Sequence, residues 1–319
     1  MRHGDGAMKS KTRGLVALVD TSKYTELTDA VAQALELIHF DFKKEIKKIA
    51  IKPNLCYYWK STTGETTDPH LVEAIIDLLR MKCNAEEIFV VESDATAMKA
   101  KYVFRALGYE KLAARKKIKL LNLCENNSLS VPNATSSISK KIRIPKILTE
   151  ADLFISVPKL KLHSLIPLTC ALKNQFGCIP IRRKVIFHNR IHETIAVINK
   201  LIPPDLVVVD GIIVSGKTPK KLDLIMASSD PVAVDCVAAK IAGLSAGQIK
   251  YIAESEKMGV GSTNFQCVGD DIQSFAKKFP RKGFVSRFSR KALLKSYALY
   301  LRFFTLEGKI FKKQPTLGS

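Results

Sequence analysis

The sequence lacks closely spaced cysteines, although it contains seven of them. No two are nearer to each other along the chain than Cys170 and Cys178, and no C-x-x-C pair occurs. This spacing argues against a locally encoded zinc ribbon or ferredoxin-type cluster, so we predict no intrinsic iron–sulfur cluster and no metal site. Most of the cysteines lie among apolar residues, where reduced, buried thiols are expected.

Long hydrophobic runs are also missing. The longest, such as LVVVDGIIV, have about half of the roughly 20 residues that a membrane-spanning helix needs. Residues 1–13 have no apolar segment of the kind found in secretory signals, and we expect them to form a flexible N-terminus. These absences predict a cytoplasmic protein, with peripheral attachment to a membrane as the alternative.

Acidic residues are few: 30 Asp and Glu stand against 51 Lys and Arg, which gives a net charge of +21. Such an excess indicates an anionic partner, which can be nucleic acid, an acidic membrane surface or a small phosphorylated or carboxylated molecule. Residues 275–319 hold twelve Lys or Arg against one acid, Glu307, and their apolar residues form a partial helical stripe. We predict that this basic amphipathic tail is dispensable for the fold and binds a polyanion or an acidic membrane surface. Packing of the tail on the protein's own core is the alternative.

Short β-branched runs alternate with helical patterns between residues 14 and 274. Strands that are apolar on both faces and alternate with helices are typical of an α/β domain, in which helices cover both faces of a mainly parallel sheet. Residues 126–149 interrupt the alternation with a Ser/Asn-rich stretch, which predicts a hairpin or loop excursion.

Basic side chains follow the apolar strand DLFISV at residues 152–157. Lys159, Lys161 and His163 are spaced two apart, so in a continuing strand they would share one face. Ligands bind at the carboxyl ends of strands in open parallel sheets, and lysine and histidine there suit phosphate or carboxylate. A solvated strand end is the alternative.

The next segment, LIPLTCALKNQFG, is expected to form a helix. Thr169 and Lys173 would lie on one stripe of it by their i,i+4 spacing, with Asn174 alongside and Gly177 as the C-cap. Threonine and asparagine would add hydrogen bonds to the charge of the lysine.

Other candidates lie where strands end or helices begin. Lys52 and Asn54 end the strand IAIKPN, and Thr67 precedes a helix that Asp68 is expected to cap. Glu92 ends another strand, and its alternative roles are a base, a metal ligand or a surface carboxylate.

Three aspartates and a histidine pair complete the set. Asp210 ends the strand LVVVD, and Asp230 is expected to cap a helix. Asp235 lies among Val, Ala and Cys, where a carboxylate needs a buried partner, for which a site lysine is the candidate. His188 and His192 have the spacing of a helical metal pair without an H-E-x-x-H motif, so acid–base work or an anion contact is favoured for His188.

These stretches resemble the prokaryotic family catalogued as domain of unknown function 362. The resemblance runs from about residue 47 to 262, and its most specific part is Lys-x-His…Thr-x-x-x-Lys-Asn-x-x-Gly at 161–177. Many members carry ferredoxin-type cysteine motifs, which this chain lacks, so the resemblance implies a redox role only with an external electron carrier. The matching positions are Lys52, Asn54, Lys161, His163, Thr169, Lys173, Asn174, Gly177, His188, Asp210, Asp230 and Asp235.

We therefore predict an enzyme of unestablished reaction that acts on a small anionic substrate, either phosphorylated or carboxylated. A nucleic-acid-binding protein and a peripheral membrane protein, each acting through the basic tail, are the alternatives. The sequence predicts neither a cofactor nor an oligomeric state. The predicted catalytic residues are His163, His188, Lys161, Lys173 and Asp235. The predicted ligand-binding residues are Lys52, Asn54, Thr67, Lys159, Thr169, Asn174, Gly177, Asp210 and Asp230.

Overall fold

The computed structural model describes residues 14–42, 45–56, 58–96, 98–132, 134, 136–162, 166–215 and 218–280. The predictions for residues 1–13, for His163 and for the tail beyond residue 280 lie outside the described residues.

Twelve strands and ten α-helices are formed within the described ranges, besides short 3₁₀ segments. The strands are β1 (Leu15–Asp20), β2 (Lys48–Pro53), β3 (Glu87–Glu92), β4 (Lys119–Asn122), β5 (Ser128–Ser130), β6 (Arg143–Pro145), β7 (Leu153–Val157), β8 (Lys161–Leu162), β9 (Leu168–Thr169), β10 (Leu206–Val214), β11 (Lys220–Ser228) and β12 (Gln266–Gly269). The helices are α1 (Leu27–Leu37), α2 (Pro69–Lys82), α3 (Ala100–Ala106), α4 (Tyr109–Lys116), α5 (Lys146–Glu150), α6 (Ala171–Asn174), α7 (Ile191–Leu201), α8 (Pro231–Ile241), α9 (Lys250–Lys257) and α10 (Ile272–Lys278).

Eight strands form one mixed sheet in the order β12-β1-β11-β10-β7-β2-β3-β4. The pairings from β10 through β7, β2 and β3 to β4 are parallel, whereas β11 runs antiparallel to both of its neighbours. The expected α/β class and the mainly parallel sheet are confirmed. The carboxyl ends of β2, β3 and β7 consequently meet at one edge of the sheet.

Alternate strand residues pack into cores on opposite faces of the sheet, as the two-residue period of a strand requires. In β2, Ile49 and Ile51 join the core under α1 and α2, while Ala50 faces the core that includes α5 and α7. The far side of β1, β10 and β11 packs on α8 and α9. Helices therefore cover both faces, and their starts are fixed locally: Asp68 caps α2 and Asp230 caps α8, each followed by proline at the first helical position.

The excursion at 126–149 is a small antiparallel hairpin, β5–β6, so this prediction is confirmed. The segment after β7 differs from expectation. Strand β7 ends at Val157 because Pro158 has no N–H with which to continue the ladder, and Lys161 begins a separate two-residue strand. The expected helix is reduced to α6 and a 3₁₀ turn, Gln175–Cys178, so Gly177 lies inside that turn and is not a C-cap.

The predicted start of the tail at residue 275 was too early. Helix α10 crosses that position, its N-terminus is capped by Asp271, and the side chains of Phe275 and Phe279 are buried in the core beside α8. The folded part of the chain therefore continues at least to Phe279.

Candidate functional site

The carboxyl ends of β2 and β3 bring a buried lysine and a buried glutamate together. The Lys52 ammonium donates to the Glu92 carboxylate over 2.8 Å, and both side chains are at most 5% exposed. Glu92 also accepts the backbone N–H groups of Leu55 and Ser93. Glu92 is therefore the partner of Lys52 rather than the surface carboxylate that was one alternative.

Gly177 fits against this ion pair because it has no side chain. A Cβ added there would lie 3.0 Å from the Cε and Nζ atoms of Lys52 and 3.2 Å from Glu92 Oε1. Close approach, rather than a positive φ, is what requires glycine at this position.

Two asparagines and a threonine connect the strand ends. The Asn174 side-chain amide donates to the Lys52 carbonyl and to the Ser156 hydroxyl, and its oxygen accepts from Asn54 over 3.1 Å. The Thr67 hydroxyl donates to the Val157 carbonyl and accepts the Asn54 backbone N–H. Among the described atoms, the buried Oδ1 of Asn54 has no hydrogen-bond partner, which leaves one acceptor open.

Lys159 and Asp210 form a second buried ion pair, with 2.8 Å between Nζ and Oδ1. Asp210 also accepts the backbone N–H groups of Asp68 and Ile212, so both of its oxygens are occupied. The strand pattern predicted that Lys159 and Lys161 share one face of a continuing strand. They do not, because the chain leaves the sheet after β7. The prediction of Asp210 as a counter-charge agrees with this geometry, but a ligand-binding role for this satisfied pair does not.

Lys161 has different partners. Its ammonium lies 3.0 Å from the Cys56 sulfur, donates to the Glu65 carbonyl over 2.5 Å and is 3.2 Å from the Glu65 carboxylate. Burial lowers the pKa of Lys161, but its interactions with Cys56 and Glu65 outweigh burial and raise it above its usual value. Lys161 therefore carries its positive charge beside a sulfur atom.

Lys173 lies next to this group. Strand pairing places Thr169 opposite Lys161, and the Lys173 ammonium donates to the Thr169 hydroxyl over 3.1 Å. Protein atoms surround Lys173 closely, although its side chain keeps partial access to solvent. Burial and the nearby Lys161 charge lower its pKa to about 8.

His188 belongs to the same neighbourhood. Burial lowers its pKa, and so does the charge of Lys173, which favours the neutral imidazole near pH 7. The His188 ring is tilted against Phe176 with 6.4 Å between the ring centroids.

His192 has separate surroundings. It stacks on Tyr251 of α9. His188 lies in the 3₁₀ segment Lys184–Arg190 and His192 in α7, so the two do not belong to one α-helix as the spacing suggested. No group of three or more metal-ligating side chains occurs within the described ranges.

Two of the predicted site residues, Asp230 and Asp235, accept backbone N–H groups at the starts of helices. Asp230 follows β11, whose antiparallel direction puts Ser228 opposite Val207 near the start of β10, at the other edge of the sheet. It caps α8 and also accepts the Ser262 backbone N–H. A site lysine was predicted as the partner of Asp235, and this prediction was wrong. The Oδ1 atom of Asp235 instead accepts the backbone N–H groups at the start of α6, with 2.7 Å to Ala171.

Sequence reasoning missed Cys56, Glu65 and Lys184. Lys184 is buried and donates to the Ser93 hydroxyl over 2.8 Å and to the Asp94 carbonyl, and burial lowers its pKa. Cys56 follows the strand end IKPNL by one residue, a signal that could have been used. Glu65 and Lys184 come from loop and 3₁₀ segments with no periodic signal.

The prediction of no intrinsic iron–sulfur cluster concerns the cysteines, all of which are free. Burial raises the pKa of the Cys83, Cys170, Cys178 and Cys236 thiols. Within the described ranges, no three metal-ligating groups come together, so no step is assigned to a cluster. The absence of an intrinsic cluster stays a prediction, which iron and sulfide analysis of anaerobically purified protein tests.

Comparison with known proteins adds one relative and two solved structures. A thylakoid-associated protein of Synechocystis sp. is 29% identical over 237 residues, which cover 70% of this chain and 71% of that protein. The lactate racemase apoprotein of Thermoanaerobacterium thermosaccharolyticum is 13% identical with a TM-score of 0.40, and a structural-genomics protein of Thermotoga maritima is 12% identical with a TM-score of 0.38. The matched region covers 74% and 72% of this chain but only 58% and 59% of those two chains.

The model of one family, described as a domain of unknown function, DUF362, matches residues 49–240. The match begins in β2 and ends in α8, so it includes the strand ends, α6 and the segment that carries His188. Because this region is more than half of the chain, the protein is a member of the DUF362 family.

Proposed function

We propose that the protein is an enzyme that binds a small anionic substrate, phosphorylated or carboxylated, beside Lys173. The observation that supports this most is the contrast between Lys173 and the other lysines. Lys52, Lys159 and Lys161 each have a carboxylate within 3.2 Å. Within the described residues, Lys173 has only the Thr169 hydroxyl as a partner.

A positive charge that lacks a protein carboxylate is suited to an anionic ligand. The Lys173 ammonium has three donors, and one of them is used by Thr169, so two remain for a phosphate or carboxylate. The partial exposure of its side chain gives such a ligand access. The neighbouring Lys161 charge adds to the attraction.

The same residues are suited to proton transfer. A lysine with a pKa of about 8 releases and takes up a proton near neutral pH, and a mainly neutral His188 can accept one. Lys173 would also stabilise negative charge that develops on the substrate. His163 stays in this proposal as a second acid–base candidate.

Binding of simple anions tests the proposal. Inorganic phosphate and oxalate are titrated calorimetrically into the wild-type protein, Lys173→Met and Lys82→Met at about 0.15 M salt, where surface charges are screened beyond roughly 8 Å. Lys82 is exposed at the last residue of α2, about 20 Å along the helix from the site end. We expect Lys173→Met to weaken binding of one anion about tenfold or more, since a hydrogen bond to a charged group contributes about 1.5–3 kcal/mol. Equal weakening in both variants would mean general attraction to a basic protein and would contradict the proposal.

Peripheral membrane association through residues 281–319 is a second candidate. Two observations favour it: the basic amphipathic composition of that segment, and the thylakoid association named for the Synechocystis relative. No helix of the described residues is both long enough and apolar enough to span a bilayer. The candidate is attachment of residues 281–319 to the surface of an acidic membrane, and binding of the protein to anionic vesicles tests this attachment.

A further inference from the structure

We propose that Cys56 is the nucleophile of this site, with its sulfur against the Lys161 ammonium. This inference rests on the proposed function, because it assigns a reacting atom to the same group of residues.

Cys56 lies close to the carboxyl end of β2. It follows that strand by three residues and is half-buried, so part of the residue is accessible to solvent. Lys161, which is 2% exposed, places its ammonium 3.0 Å from that sulfur. An adjacent ammonium favours the thiolate, which is the nucleophilic form of cysteine.

The charge of the group points the same way. Lys161 and Lys173 contribute two positive charges, and Glu65 contributes one negative charge. The group therefore has a net positive charge, which would draw an anionic substrate toward the Cys56 sulfur. Asn54, two residues before Cys56, is 8% exposed, and its buried Oδ1 accepts no hydrogen bond from the described residues, so the same strand end holds a further unpaired acceptor.

The other thiols are in different environments. Burial raises the pKa of every one of them, so at neutral pH they are protonated. These six are Cys83, Cys124, Cys170, Cys178, Cys236 and Cys267.

The step assigned to Cys56 is addition to a carbonyl carbon of the anionic substrate. The sulfur electron pair forms the S–C bond, the carbonyl π bond breaks, and its electron pair moves to the oxygen. Lys173 stabilises that oxygen and can donate the proton that neutralises it, becoming a neutral amine. The addition is reversible and needs no oxidant, reductant or second substrate.

Alkylation of the folded, full-length protein tests the assignment. Iodoacetamide and iodoacetate both form an S–C bond with release of iodide, and peptide mass spectrometry gives the rate at each cysteine. We expect Cys56 to react about tenfold faster than Cys124 and Cys267, which are also half-buried, because its sulfur lies 3.0 Å from the Lys161 ammonium whereas burial raises the pKa of the other two thiols. Labelling of Cys56 no faster than these two would overturn the proposal.

Two variants separate the electrostatic role of Lys161 from a structural one. Lys161→Met should slow labelling of Cys56 by about tenfold, and Glu65→Gln should accelerate it, because it removes the carboxylate that offsets the Lys161 charge. A purely structural role would not produce changes in opposite directions. If Lys161→Met does not fold, Glu65→Gln alone decides: unchanged or slower labelling contradicts the proposal.

The ratio of the two reagents separates this inference from the proposed function. At Cys56 we expect the ratio of iodoacetate to iodoacetamide rates to exceed that of free glutathione, and to fall in Lys173→Met but not in Lys82→Met. Fast labelling by iodoacetamide without preference for iodoacetate would support the nucleophile and contradict anion binding at Lys173. Slow labelling of Cys56 together with calorimetric anion binding would support anion binding at Lys173 and contradict the assignment of Cys56 as the nucleophile.

Discussion

Some charged residues at this edge of the sheet stabilise the fold, and others are available for chemistry. The buried pair of Lys159 and Asp210 belongs to the first kind. Both side chains are at most 1% exposed, and Asp210 has two further backbone donors. A charge in such a position is tolerated only when it is paired, so we assign the pair to the fold.

Removing one partner should therefore be costly. Lys159→Met leaves Asp210 as an uncompensated buried charge, and we expect a loss of about 3–5 kcal/mol in the free energy of unfolding, measured by chemical denaturation. The control is Lys146→Ala, which breaks the exposed i,i+4 pair with Glu150 and should change stability by less than about 0.5 kcal/mol. A small effect of Lys159→Met would free Lys159 for a ligand-binding role.

Gly177 gives a second prediction at the residue scale. In Gly177→Ala the new methyl group meets Lys52, which cannot move away because it is held by Glu92, so we expect a loss of about 1–3 kcal/mol. Gly247→Ala is the matched control, since Gly247 also lies in a 3₁₀ turn but its added Cβ would meet only Ser245 Oγ at 3.7 Å. Equal effects of the two substitutions in denaturation would contradict the packing argument.

At the scale of elements, α6 is short, with four residues, and it carries Lys173 and Asn174. Its start is held by Asp235 of α8 through the N–H of Ala171. By geometry, Asp235 Oδ2 has no hydrogen-bond partner within the described ranges, and the nearby Tyr251 hydroxyl donates to the Leu168 carbonyl. Asp235 thus positions α6 rather than reacting itself.

The pH dependence of stability tests this contact. Burial raises the pKa of Asp235 from 3.8 to about 7, although the backbone N–H groups at α6 lower it. Between about pH 4 and pH 7 the folded state therefore binds more protons than the unfolded state. The contribution of Asp235 to stability falls as the pH rises through this range, and it is constant above about pH 7.

Asp235→Asn should remove that slope and still accept the N–H bonds, so it should be at least as stable as the wild type at pH 7.5. Asp235→Ala also removes the slope but loses the hydrogen bonds, so it should be less stable than Asp235→Asn at every pH, by about 1–2 kcal/mol. Denaturant titrations at several pH values measure both variants. A wild-type slope that persists in Asp235→Asn would assign the pH dependence to another group.

At the scale of the whole molecule, the excess positive charge is unevenly distributed. Residues 281–319 hold ten Lys or Arg against Glu307, whereas residues up to Phe279 complete the core through α10. The fold and the basic segment can therefore be tested separately if the cut is made after Pro280.

Deleting residues 281–319 should leave a folded protein that has lost binding to anionic vesicles or RNA. Deletion from residue 272 is the control: it also removes the buried Phe275 and Phe279 and should lower stability by several kcal/mol, about 3–5 for each phenylalanine. Sedimentation with the full chain at about 0.1 M and 0.5 M salt distinguishes the partners, because binding to RNA falls steeply with salt while membrane binding keeps its apolar part. Unfolding of the shorter deletion would favour packing of the tail on the core.

Several features of this protein were determined by the sequence itself. The β-branched strands, the excursion at 126–149 and the caps at Asp68 and Asp230 follow from local period and turn chemistry, which need no distant partner. The same local logic placed Lys52 and Asn54 at the carboxyl end of β2.

Only the tertiary structure decided which groups pair. Lys52 meets Glu92 across 40 residues and Lys161 meets Cys56 across 105, because the strand order brings β2 between β3 and β7. The antiparallel direction of β11 moved Asp230 to the far edge of the sheet. A sequence specifies the type of side chain and its local spacing, but the charge that balances a lysine is the carboxylate that folding brings within about 3 Å of it.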